Sequence, residues 1–559
     1  MIGRENNITG KGAEKLFNFR PFFFSAIFLS LGILFYFAYH FLGVSTLWLL
    51  LGIPLVAIPF FFCHNKRQIY YTALTMLLVG GSFLVGFFSF SAQLGGVYDV
   101  EPQLGEQYVT GKVVDIRPYA YNTIVILDDL VIGEDRENGK LIAYLPPSFE
   151  EKVSLCDEVF LVGKVYGNEP SVEEFHYDAG ELTENIRFRI WTEEVSVVGQ
   201  RFDLFLFLRS RAERVIEAGM DESPASVMSA MLFGNTAGID DGLYENIRQG
   251  GIAHIFAVSG LHVGALFAFC VFLFARKPFQ RVPKLARWIV LAGILYLYAG
   301  VCGFSASVLR ATVMCLVLYA TSLLSIKTDM LESLGIAGIV LLLYKPTFLF
   351  EVGFQLSFMA CLGLAFLTKP LGHVCDEIQK LYRKYFPKAP TRAEIEARKN
   401  GDTLPPSIGE RVYQLVRSFL SASIAVQLFT APLLLHYFGY VSSWALLLNG
   451  IFVPIVSGLF AMMLLLVALA SVFPVELAVV FLYIPNLLWS LLLLLFQTID
   501  FSSFALRNIS LTGGGFFSYY CGLLFATDKW NLSKGATMSL STASFAVFLL
   551  LLLLGIFSG

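Results

Sequence analysis

The stretch GGIAHIFAVSGLHVGALFAF, residues 250–269, decides how this chain is read. It is apolar enough to enter a membrane, yet it carries His254, Ser259 and His262 together with Gly260 and Gly264. A hydrolase would need the G-x-S-x-G elbow after a strand; position 257 is Ala257, and no strand pattern precedes it. A metal site would need both histidines on one helical face. Eight residues apart, they fall roughly 80° out of alignment on a helix, with no carboxylate nearby. What remains is a glycine-loosened helix. Glycines four apart let helices approach closely, or loosen a helix where backbone must line a cavity.

Composition agrees with a membrane setting. The 559 residues are 56% hydrophobic and only 15% charged, with 53 phenylalanines. A soluble chain carries roughly a quarter charged residues. Runs of about 17 to 25 apolar residues recur, each able to cross a hydrocarbon core of roughly 30 Å. A net charge of −3 says nothing about partners. The eight cysteines form no CxxC pair, so neither a zinc site nor a disulfide framework is indicated. No cofactor or metal is expected.

Residues 1–100 hold three apolar runs, near 21–42, 45–63 and 70–92. Arg4, Lys11, Lys15 and Arg20 precede the first, which places the N-terminus in the cytoplasm. Three crossings then put residues 101–201 outside. That segment alternates as strands do, in QYVTGKVVDI, NTIVILDDLVI, KLIAYLP, DEVFLVGKVYG and FRIWTEEVSVVG. Five short strands with period-two alternation predict a small β-barrel, and an OB-type barrel fits the length. The expected fold is therefore an α-helical polytopic membrane protein with an extracytoplasmic OB-like β domain inserted after the first spans.

Residues 202–235 read as an amphipathic helical segment at the interface or on the bundle, with Arg209, Arg211 and Arg214 between apolar positions. Residues 236–559 form the membrane core. Its spans are predicted near 251–275, 286–302, 305–325, 332–345, 347–368, 419–437, 446–472, 475–499, 514–526 and 541–557. Two basic loops, 276–287 and the long 369–418, fall on the cytoplasmic side in this topology, as the positive-inside rule requires.

Polar side chains in hydrocarbon cost at least about 2.5–3.5 kcal/mol when charged, so they usually face protein or a water-filled cavity. Besides the opening stretch, they gather in four places. GFSASVLRATVM carries Ser305, Ser307 and Arg310. FEVGFQLSFMACLG carries Glu351, Gln355 and Ser357, the first two on one helical face. SASIAVQLFTAPLLLHYFG carries the stripe Ser423, Gln427 and Thr430, followed by His436. LLLNGIFVPIV carries Asn449 beside Pro454. Each alone is most simply a helix–helix hydrogen bond. Several broken, polar-faced helices together resemble a translocation path.

These motifs, in this order over residues 250–455, resemble the ComEC/Rec2 competence proteins, the inner-membrane DNA-uptake channels of bacterial transformation. The N-terminal arrangement is similar too. The resemblance implies passage of single-stranded DNA through the bilayer, no enzymatic site, and partners such as a DNA receptor, a cytoplasmic helicase or translocase and a separate nuclease. Many members carry a metallo-β-lactamase-like domain after the last span; no H-x-H-x-D-H cluster occurs here, so none is expected. The implied path residues are His254, Ser259, Gly260, His262, Gly264, Ser305, Ser307, Arg310, Glu351, Gln355, Ser357, Gln427, Thr430, His436 and Asn449. Lys112, Arg117, Arg187 and Arg189 are the DNA-contact candidates of the OB-like domain. Its acidic surface argues against DNA binding all over it. A transporter of another small or polymeric solute is the alternative, and an intramembrane hydrolase using Ser259 and His262 a remote one.

Overall fold

The computed structural model describes residues 20–45, 66–98, 103–118, 123–145, 153–167, 181, 184–234, 238–252, 254, 258, 260–324, 329–385, 407–442, 444–499, 505–507, 513–527 and 534–557. Residues 46–63 of the span expected at 45–63 and the candidate Ser259 lie outside them. The described chain is mostly helical. Eight of its helices are long and apolar enough to cross a membrane.

Helices α1 (Pro21–Phe41) and α2 (Lys66–Tyr98) lie against each other through small residues. A Cβ at Gly32 would strike the Phe83 carbonyl, and one at Gly86 the Leu29 carbonyl, so the two backbones touch where only glycine fits. The foot of α1 is pinned by Arg20, 2.5 Å from Asp329.

Residues 103–200 form the β domain: β1 (Gln103–Pro118), β2 (Thr123–Ile132), β3 (Asp135–Arg136), β4 (Lys140–Leu145), β5 (Asp157–Gly167) and β6 (Ile186–Gln200). The ladder runs β1–β5–β6–β4–β2 and returns to β1. Only β4–β6 is parallel. Alternation sets the faces: Val159, Leu161 and Val165 of β5 point inward with Val109, Leu127 and Ile190, while Phe160, Val162 and Lys164 point out.

Segment 202–235 splits in two. Helix α3 (Leu204–Gly219) buries Val215 and Ile216 and leaves Leu204 and Phe207 exposed, whereas α4 (Glu222–Phe233) is buried over most of its length in the helical core. Its polar side is only the narrow row Ser223, Ser226 and Ser229, and its other residues from Pro224 to Phe233 are buried. Asp203 caps α3 by accepting from the Phe205 and Leu206 amides. Burial pushes the Asp203 carboxyl up, but the Leu206 amide and Lys112 outweigh it and hold it below its ordinary range. Two ion pairs latch the β domain onto α3: Lys112–Asp203 at 3.1 Å and Arg209–Asp115 at 3.0 Å. On its other side, α3 packs Phe205 against Gly300, and Arg211 donates to the Ser471 and Phe473 carbonyls.

The core continues with α5 (Asp241–Gln249), α6 (Gly260–Phe274), the short α7 (Lys277–Gln280), α8 (Lys284–Val301), α9 (Ala306–Leu323) and α10 (Met330–Tyr344). Next come α11 (Val352–Tyr385), α12 (Ile408–Phe438), β7 (Tyr440–Ser442), α13 (Ala445–Ala470), α14 (Ala478–Thr498), β8 (Ala505–Arg507), α15 (Gly513–Phe525) and α16 (Lys534–Phe557). Of the span placed at 251–275, α6 covers Gly260–Phe274, and residues 253, 255–257 and 259 lie outside the described residues. The long loop 369–418 is helical at both ends, because α11 runs on to Tyr385 and α12 starts at Ile408 behind a Ser407–Glu410 capping box. Arg417 pairs with Asp376 across that extension at 2.7 Å.

Candidate functional site

Four of the five motif segments meet in sequence order and close a ring of contacts. The first meets the second at Gly260, where an added Cβ would lie 2.6 Å from an Arg310 guanidinium nitrogen and 3.3 Å from the Ala311 Cβ. The second meets the third twice. Arg310 lies 3.6 Å from the Cys361 thiol, and Ser307 Oγ faces Gly353. The third meets the fourth where the Tyr437 hydroxyl donates to Gln355 Oε1 at 2.8 Å. There, too, Gly363 packs on the Ala425 carbonyl. The fourth returns to the first through Ser442. Its carbonyl accepts from Gln427 Nε2 at 2.9 Å, and its side chain and that of Ala445 pack on Gly251.

That last contact reveals a fold-back. Gln427 sits eleven residues before Phe438, the end of α12, which is about 16 Å of helix. The chain therefore turns at Gly439 (φ +75°) and runs back along α12 as β7, pairing there with β8. Gly251 (φ +74°) marks a second irregular stretch beside it. Non-helical backbone at membrane depth is tolerated only where protein buries it or where it lines a water-filled cavity.

Buried polar atoms without a protein hydrogen-bond partner lie on these segments and on β7 and α13, as they also do elsewhere in the chain. Among the described residues they include Ser305 Oγ, Arg310 Nε, Thr312 Oγ1, Glu351 Oε2, Ser423 Oγ, Ser442 Oγ and Asn449 Oδ1. In a sealed apolar core each would be costly. The Glu351 carboxyl, in the loop before α11, is pushed up to about 7 by burial, then by the Glu184 carboxylate of the β domain, against the pull of Lys345.

Other expected residues sit differently. His262 is buried and stacks on Phe460 of α13, centroids 3.9 Å apart, so it packs away from α9. His254 precedes α6, its Nδ1 3.1 Å from the Gly251 carbonyl. A Cβ at Gly264 would meet nothing within 4 Å, so close helix approach is not the reason for that glycine. Thr430 bonds its own helix at Val426, Ser357 is half-buried on α11, and His436 packs on Phe516. Sequence reasoning missed Cys361, Tyr437 and Ser442, which carry three of the ring's contacts; nothing in their residue types announces this.

On the β domain, Lys112 is paired with Asp203, Arg117 with Asp115 and Glu184, and Arg189 with Glu181. Arg187 bonds only Asn185 Oδ1, at 3.3 Å, among the described residues. An aromatic pair lies near them. Trp191, 58% exposed, stacks on Tyr144 at 4.5 Å, opposite Lys164 in the register.

A bundle with eight candidate spans and a β domain latched to it define a multi-pass membrane protein; the break expected at Asn449 and Pro454 is absent, because α13 runs on through Pro454. Residues 231–533, more than half of the chain, match the Competence protein family, and the chain belongs to it. It is 35% identical to the ComE operon protein 3 of Bacillus subtilis (strain 168) over 138 residues. That stretch is 25% of this chain and 17% of the relative. No solved structure matches the chain.

Proposed function

We propose that this chain conducts a single DNA strand across the cytoplasmic membrane during natural transformation, with its N-terminus in the cytoplasm and its β domain outside. The carrying observation is the closed ring of four motif segments, lined by buried polar atoms without protein partners. The lining is mostly uncharged, which suits a polyanion that must slide rather than stick. A DNA receptor at the outer face and a helicase or translocase at the cytoplasmic face fit this direction of travel.

The strand order of the β domain, with one parallel pair in an otherwise antiparallel ring of five, supports an OB-like barrel. Its exposed Trp191–Tyr144 stack beside Lys164 fits the aromatic platform and cationic groove of single-strand binders. Arg187 is the remaining cation of the four candidates free of an ion pair among the described residues.

Deletion of the gene in a transformable host tests the reading. Labelled DNA should still bind the cell surface and should no longer reach a nuclease-protected cytoplasmic pool. Undiminished entry in the deletion strain, with no second family member encoded, overturns it.

A further inference from the structure

Among the ring's candidates with an unpartnered buried polar atom, Arg310 is the cation. Its side chain enters the bundle one turn into α9, and it is nine-tenths buried. A guanidinium stays protonated at any cellular pH, so the charge cannot be shed on burial. Among the described residues it has no carboxylate partner. One nitrogen reaches the Cys361 thiol at 3.6 Å, a weak acceptor, and Nε has no partner. Another nitrogen occupies the place a side chain at residue 260 would take, 2.6 Å from where its Cβ would be. Glycine at 260 thus makes room for the guanidinium between α6 and α9. Nothing among the described residues neutralises it, so its fork of donors is open to an anion.

We propose that Arg310 binds phosphate, meeting the phosphodiester of a strand as it passes Gly260. The planar fork of donors matches two oxygens of one phosphate, which a lysine in the same place cannot do. This inference rests on the proposed function, and a phospholipid headgroup is the competing source of the same chemistry. One cation in a mostly neutral lining would register the strand without arresting it.

The test uses the full chain in nanodiscs, with binding of a fluorescent oligothymidylate followed by anisotropy across a range of salt concentrations. Wild type should bind with a salt slope that Arg310→Gln lowers by about 0.7, the share of one single-strand phosphate contact. Affinity should fall roughly 5- to 10-fold, and equally in zwitterionic and anionic lipid. Arg310→Lys should keep the slope and lose about 3-fold in affinity, and it serves if the glutamine variant does not fold. An unchanged slope in Arg310→Gln, or wild-type affinity in Arg310→Lys, overturns the inference while leaving the proposed function standing. An effect confined to anionic lipid assigns the guanidinium to headgroups and also overturns it. A wild type that binds no strand sinks the proposed function and the inference with it.

Discussion

Gln427 donates to the Ser442 carbonyl across 2.9 Å, tying the middle of a long helix to the strand that follows its end. The hydrogen bond holds β7 folded back along α12 and closes the ring of motif segments. Gln427→Leu would leave the Ser442 carbonyl without that donor and should cost about 1 kcal/mol of stability. Thr430→Val, one turn further on, removes a hydroxyl that bonds only within its own helix, and should stay within about 0.5 kcal/mol. Thermal unfolding of the purified variants checks both. Equal losses would mean that the fold-back does not depend on Gln427.

Glycines in this bundle separate into those that need to be glycine and those that do not. A Cβ at Gly363 would lie 2.5 Å from the Ala425 carbonyl and 3.0 Å from the Phe429 Cβ, and backbone cannot give way cheaply. Gly363→Ala should destabilise by about 1–3 kcal/mol. Gly264→Ala meets open space and should be neutral, or stabilising by up to about 1 kcal/mol from helix propensity. Midpoints measured in one detergent decide between them.

Glu351 gives the molecule a pH dependence of known sign. Its folded carboxyl holds a proton up to about pH 7, while in the unfolded chain it ionises near its ordinary value of about 4.3. Between those values the folded state binds more protons. Stability from this group is therefore full below the lower value and is lost as pH rises through the higher one. Glu351→Gln should abolish that decline and make the protein more stable above pH 7 by about 1–3 kcal/mol, with little change at pH 4. Unfolding midpoints at pH 4, 6 and 8 are the check. A variant that gains equally at every pH would show that burial does not raise this carboxyl.

Arg209 is buried between Asp115 of the β domain and Glu213 of its own helix. Arg209→Ala strands Glu213, whose carboxyl burial already pushes up, and leaves Asp115 to Arg117 alone. Loss of about 3–5 kcal/mol is expected. Limited proteolysis should then cut between the β domain and α3 sooner than in wild type. Unchanged cleavage would show that the Lys112–Asp203 pair suffices as the latch.

Much of this was legible in the sequence for stated reasons. Period-two alternation marked the strands of the β domain because one face of each is buried, and Val159, Leu161 and Val165 obey it. Apolar length marked the spans, except where a segment is buried by protein rather than lipid, as in α4. The fold-back at Gly439 was invisible. Its cause is a contact between residues 15 positions apart that no periodicity encodes. Residue types did not show that His262 would stack on Phe460 of α13, a contact between residues far apart in the chain. The spacing of Gly260 and Gly264 suggested one role for two glycines, whereas only Gly260 faces a crowded neighbour, the guanidinium of Arg310.

Photocrosslinking during uptake is the most direct measurement of whether the ring is the DNA path. A benzophenone side chain placed at Ser307 should capture labelled incoming strand in transforming cells. The same group at Leu487, an exposed apolar position on α14, should capture none. Strand captured at Leu487 and absent at Ser307, with both variants still taking up DNA, would contradict passage through the ring.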